Sequence, residues 1–135
     1  AMAVAARQAA RDLQALSPAA RKAILNTLAK LLVERQEDIL AANKVDIDAA
    51  KSSNLDQNLL SRLGMTPSKL ATLAKGIQQI AEQEDPIGHV LRRTEVADGL
   101  QLEQISVPLG VLLVIFESRP DALPQIAALS IYSGK

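Results

Sequence analysis

A chain of 135 residues, 48% hydrophobic and 22% charged, holds the material for one domain with a buried core. Its 15 basic and 15 acidic residues cancel, which removes the electrostatic footprint of a nucleic-acid or anionic-membrane partner. Cysteine is absent and histidine occurs once, which excludes disulfides, thiolate metal ligands, a thiol nucleophile and a multi-histidine metal centre within these residues.

Phe116 and Tyr132 are the only aromatic residues, too few for the stacking platforms of single-stranded nucleic-acid binders. The longest uncharged apolar stretch, residues 107–116, is half of what a bilayer span requires, and no secretion signal opens the chain. The expectation is a soluble, cytoplasmic protein with no membrane and no nucleic-acid partner.

Ala and Leu favour helix, and the first half reads as helical. Residues 3–16 carry a thin apolar stripe of Val4, Leu13 and Leu16. Ser17-Pro18 then starts a helix: the hydroxyl accepts from first-turn N–H groups, and proline at the first position loses no hydrogen bond. Ile24, Leu25, Leu28, Leu31 and Leu32 form its stripe, with Arg and Lys opposite. It is predicted to run through Leu40 and end near Asn43, with a shorter helix over 46–51 and a loop at 52–54. Residues 56–63 read as a short helix stopped by Gly64. Thr66-Pro67 repeats the start device ahead of a stripe of Leu70, Leu73, Ala74, Ile77 and Ile80. Residues 85–88, Asp-Pro-Ile-Gly, end the helical half.

At His89 the pattern changes. Residues 90–96 and 100–107 flank Asp98-Gly99, a tight-turn pair that predicts a hairpin. Leu100 and Leu102 have the opposite parity to Ile105 and Val107, which a bulge near Glu103-Gln104 would reconcile. Residues 111–116, Val-Leu-Leu-Val-Ile-Phe, form an unbroken apolar run, as in a parallel strand buried on both faces. The polar turn 117–120 follows at once, and a helix is predicted over 122–132 despite Pro124 in its first turn.

That strand–turn–helix junction is the place where open α/β sheets bind ligands. Ser118 and Arg119 stand there, and arginine offers a planar fork of donors for carboxylate or phosphate. A solvated loop with an incidental arginine is the plain alternative. His89 has no partner pattern and reads as a surface or interface residue. Arg92-Arg93 read as solvated or oligomer contacts, and Glu82, Glu84 and Asp85 as a solvated helix end. No glycine pattern matches a phosphate loop or a dinucleotide fingerprint.

The segment VPLGVLLVIFESRPD (107–121) resembles the signature stretch of γ-glutamyl phosphate reductase (glutamate-5-semialdehyde dehydrogenase) and of the reductase half of Δ1-pyrroline-5-carboxylate synthetase. LAANKVD (40–46), LLSRL (59–63) and DPIG (85–88) follow the order of that family. The resemblance covers nearly the whole chain. It implies the N-terminal portion of an α/β, aldehyde-dehydrogenase-like fold: helices packing on the cofactor domain (1–88), an oligomerisation hairpin (89–109) and the start of a dinucleotide-binding sheet (110–135).

The resemblance also implies NADPH-dependent conversion of L-glutamyl 5-phosphate to L-glutamate 5-semialdehyde and phosphate in proline biosynthesis. The parent would be a homo-oligomer through the hairpin, in some cases fused to a glutamate 5-kinase domain. Phe116, Glu117 and Ser118 would bind the cofactor. Ser118, Arg119 and Pro120 would bind substrate, with Arg119 positioning it or stabilising the oxyanion. The family's nucleophilic cysteine is not in this chain, so the expectation is an inactive fragment. A non-catalytic self-association module and another aldehyde dehydrogenase superfamily member are the competing readings.

Overall fold

The computed structural model describes residues 2–53, 55–117 and 119–134. Their order is α1 (Met2–Gln14), α2 (Pro18–Glu34), α3 (Gln36–Ser52), α4 (Gln57–Leu63), α5 (Pro67–Glu82), β1 (Val90–Ala97), β2 (Leu100–Ile105) and α6 (Ala122–Tyr132).

The helix starts follow local chemistry. Ser17 Oγ accepts from the Ala20 N–H and Thr66 Oγ1 from the Lys69 N–H, each at 3.2 Å, ahead of a proline in the first turn. Asp56 caps α4 in the same way, accepting from the Asn58 N–H at 2.8 Å.

One boundary differs from the sequence reading. The helix predicted from Pro18 to Asn43 breaks earlier, at Arg35, and α3 then runs unbroken to Ser52. Arg35 leaves helical geometry (φ −99°, ψ 18°), and Glu37 and Asp38 in the following turn favour a new N-terminus there. Asn43 does not end a helix. It is buried in mid-α3, where its Nδ2 donates to the Leu63 carbonyl at 2.9 Å and its Oδ1 accepts from the Met65 N–H at 2.8 Å. This amide ties the α4–α5 linker to α3.

The core lies where α2, α5 and α6 meet. Leu25, Ala29, Leu73, Ala74, Ile77, Ala81 and Ala128 form it, with Leu28, Leu32, Ile80, Ile131 and Tyr132 packed around. Four of those seven are alanine, which lets the helix axes approach while Leu25 and Ile77 fill the space between. Burying each of these two larger side chains contributes about 1.5–3 kcal/mol.

β1 and β2 pair antiparallel, and Gly99 supplies the positive φ (75°) of their connection. The bulge expected near Glu103-Gln104 of β2 is absent. The register shifts instead fall in β1, between Val90 and Arg92 and between Glu95 and Ala97. The parity conflict that suggested a bulge in β2 needs no resolution, because every β2 residue is exposed and neither face is committed to a core.

The run 111–116 also departs from expectation. It forms no ladder among the described residues, and Leu113 and Ile115 are 85% and 88% exposed. A buried strand needs hydrogen-bonded neighbours on both edges, and the two strands present pair only with each other. The helix after it forms as predicted, with Pro124 in the first turn, where it breaks no helical hydrogen bond.

Candidate functional site

Two polar constellations stand out, one structural and one at the turn into α6. The structural one joins the helices to the base of the hairpin. Arg21, 5% exposed, makes an ion pair with Asp85, whose Oδ1 also accepts from the Ile87 N–H at 3.1 Å. His89 Nε2 donates to the Asp85 carbonyl and lies 3.8 Å from Glu84 Oε1. Ser106 Oγ donates to the Pro86 carbonyl at 2.7 Å and accepts from the His89 N–H at 3.0 Å. The Tyr132 hydroxyl donates to the Glu84 carbonyl, and burial pushes this phenol above its ordinary pKa, with Asp85 and Glu84 adding to the effect.

Asp85 is therefore not the solvated helix-end carboxylate predicted from sequence. Arg21 went unrecognised because it was assigned to the polar face of α2. Its spacing of four from Leu25 and eight from Ala29 was the available signal that it lies on the buried stripe. His89 serves this joint. Arg93 meets Glu103 across the hairpin, directly opposite in register.

The second constellation is the turn into α6. Phe116 and Glu117 are exposed at the end of the apolar run, and Ser118 lies outside the described residues. Arg119 is exposed; its Nη2 donates to Asp121 Oδ2 at 3.2 Å, and its carbonyl accepts from the Ala122 N–H at 3.0 Å. Pro120 is half-buried and turns inward, lining a groove of about 630 Å³ with Leu28, Met65, Leu70, Leu123 and Pro124. That groove is chiefly apolar, with Asn43 and Asp46 as its polar members.

The structure thus sets Arg119 and Pro120 on opposite sides of the turn, one towards solvent and one towards the helices. The groove beside Pro120 does not include Phe116, Glu117 or Arg119. The groove beside Pro120 offers no cation for a pyrophosphate. This groove therefore does not fit a bound dinucleotide. No group of three or more potential metal ligands occurs among the described residues.

Comparison with known proteins gives this geometry a context. No protein-family model matches the chain. It is 55% identical over 133 residues to the Δ1-pyrroline-5-carboxylate synthase of Mesembryanthemum crystallinum, covering 98% of this chain and 18% of that protein. Synthase A of Arabidopsis thaliana is 53% identical over the same coverage. The γ-glutamyl phosphate reductase of Cyanothece sp. is 47% identical over 128 residues, 95% of this chain and 30% of that protein.

Among solved structures, γ-glutamyl phosphate reductase from Saccharomyces cerevisiae superposes with a TM-score of 0.94 at 42% identity, over 98% of this chain and 34% of that one. The Thermotoga maritima reductase gives 0.91 at 27% identity, over 98% and 32%. The chain spans about a third of these reductases and less than a fifth of the synthases. The superposition gives an aldehyde-dehydrogenase-like fold. By sequence and by fold the chain is similar to the γ-glutamyl phosphate reductases, over about a third of a reductase's length.

Proposed function

We propose that this chain forms part of an oxidoreductase of proline biosynthesis that converts L-glutamyl 5-phosphate to L-glutamate 5-semialdehyde and phosphate, with NADPH as reductant. The observation that carries the reading is similarity over nearly the whole chain to proteins named for this chemistry, at 47–55% identity. In this reading Arg119 positions the acyl phosphate or stabilises the oxyanion, where one aimed donor is worth about 3–4 kcal/mol of barrier. Ser118 and Pro120 also serve the substrate in this reading, and Phe116, Glu117 and Ser118 serve the cofactor at a site that other parts of the enzyme complete.

Residues 1–88 pack on the cofactor domain, 89–109 form an oligomerisation arm, and 110–135 begin the dinucleotide-binding sheet. The exposed hairpin, with Leu91, Val96, Leu100 and Leu102 at 56–63% exposure, supports the assembly role. The setting is cytoplasmic; no described helix is long and apolar enough to cross a membrane. The greater length of the synthases is consistent with fusion of such a reductase to a glutamate 5-kinase. The covalent step needs a thiolate that attacks the acyl carbon and expels phosphate, and the chain contains no cysteine. By itself it is therefore inactive. The exposed run 111–116 favours a second behaviour for the isolated chain, self-association.

The test is NADP+ reduction by glutamate 5-semialdehyde in a longer protein that contains these residues and the cysteine, with and without phosphate. Phosphate-dependent reduction is expected. Reduction independent of phosphate, or none in a folded protein, would overturn the assignment.

A further inference from the structure

The pair Arg119–Asp121 carries one step more. Asp121 stands at the N-terminal boundary of α6, where an aspartate ordinarily turns its carboxylate onto the first-turn N–H groups. It makes no such capping bond; its Oδ2 accepts from Arg119 Nη2 instead. The carboxylate is the better anchored member, with its side chain 27% exposed against 58% for the arginine. Lys69 lines the neighbouring groove with Asp121, but its Nζ donates to the Gly64 carbonyl at 2.6 Å, which leaves Arg119 as the cation bonded to Asp121. Among the described residues, the Arg119 guanidinium donates to Asp121 through Nη2.

We infer that Asp121 is a positioning residue that holds the Arg119 guanidinium at the turn and weakens its grip on free phosphate. The inference rests on the reading that Arg119 receives the acyl phosphate. A lone arginine facing an anion would hold the product phosphate as well as the substrate. A carboxylate bonded to that arginine lowers affinity for both. The loss is the same for both, but the substrate keeps contacts through its glutamyl part and stays bound, whereas released phosphate has only the weakened anion contact and leaves.

The experiment is titration of the 135-residue chain with inorganic phosphate, followed by the backbone NMR signals of Arg119 and Ala122. Asp121→Asn is expected to bind phosphate roughly two- to fivefold tighter, the range of an exposed ion pair. Asp98→Asn, an equal change of charge at the hairpin turn, should match the wild type. Arg119→Gln should lose the response, and Asp121→Asn should add nothing in that background. Thermal melts establish that each variant folds. Equal affinity of wild type and Asp121→Asn, or equal tightening by Asp98→Asn, overturns the role of Asp121 alone. Phosphate binding unaffected by Arg119→Gln, or no response in any variant, overturns the anion-binding role of Arg119 and this inference with it.

Discussion

Replacing Asp85 by Asn tests what joins the helical core to the hairpin. The wild-type pair places Arg21, its side chain 6% exposed, against a carboxylate whose side chain is 25% exposed. Removing one partner of a fully buried pair costs about 3–5 kcal/mol, because the other charge stays buried without compensation. Water reaches Asp85 in part, so about 2–3 kcal/mol is the expected cost of Asp85→Asn. The amide oxygen can still accept from the Ile87 N–H, which confines the loss to the ion pair. For a domain of this size that lowers Tm by about 6–15 °C. Arg21→Met removes the buried charge together with its partner's need, and should cost less, about 1–2 kcal/mol. The double variant should be more stable than the sum of the two losses predicts, by at least about 1 kcal/mol. Urea denaturation of all four proteins measures the cycle. Additivity to within about 0.5 kcal/mol would show that the two groups do not depend on each other and would refute the reasoning.

Ile77→Ala removes a fully buried side chain from the meeting point of α2, α5 and α6 and should cost about 2–5 kcal/mol by the same assay. Gly134→Ala meets a positive φ of 67° and an Ile87 Cδ1 only 2.7 Å from the new Cβ, so a loss of about 1–3 kcal/mol is expected, where a neutral effect would mean the C-terminal turn is held more loosely. The raised Tyr132 pKa predicts alkaline destabilisation. Its stabilising share is complete below the ordinary value near 10.0 and is lost as pH rises through the higher folded value. Tyr132→Phe should flatten that part of the stability–pH curve, and an unchanged slope would assign it to other groups.

The helices were legible because their signals are local. Ser17-Pro18 and Thr66-Pro67 announce their starts in adjacent residues, and the stripe from Leu70 to Ile77 fixes which face of α5 is buried. Gly99 likewise places the hairpin turn, since its conformation excludes most other residues. What escaped was decided at a distance. Asn43 looks like a helix stop until the linker carbonyl and N–H it serves are in place, some 20 and 22 residues on. Arg21 looks like a solvent-facing cation until Asp85, 64 residues away, arrives beside it. Local pattern reports which face is apolar, but a buried charge or amide becomes intelligible only with its partner.

The candidate site shows the same division more sharply. Arg119 is a candidate from its place in the chain, between an apolar run and a helix, and from a resemblance spanning the turn. Its bond to Asp121 was open to inspection in sequence, two residues away, yet the ordinary expectation for an aspartate before a helix is a cap. The departure from that expectation is the informative part. A carboxylate that forgoes capping leaves α6 without that local support and restrains an arginine instead. Local preference is set aside here at the turn where an anion is proposed to bind, as functional sites commonly set aside the rules the rest of a chain obeys.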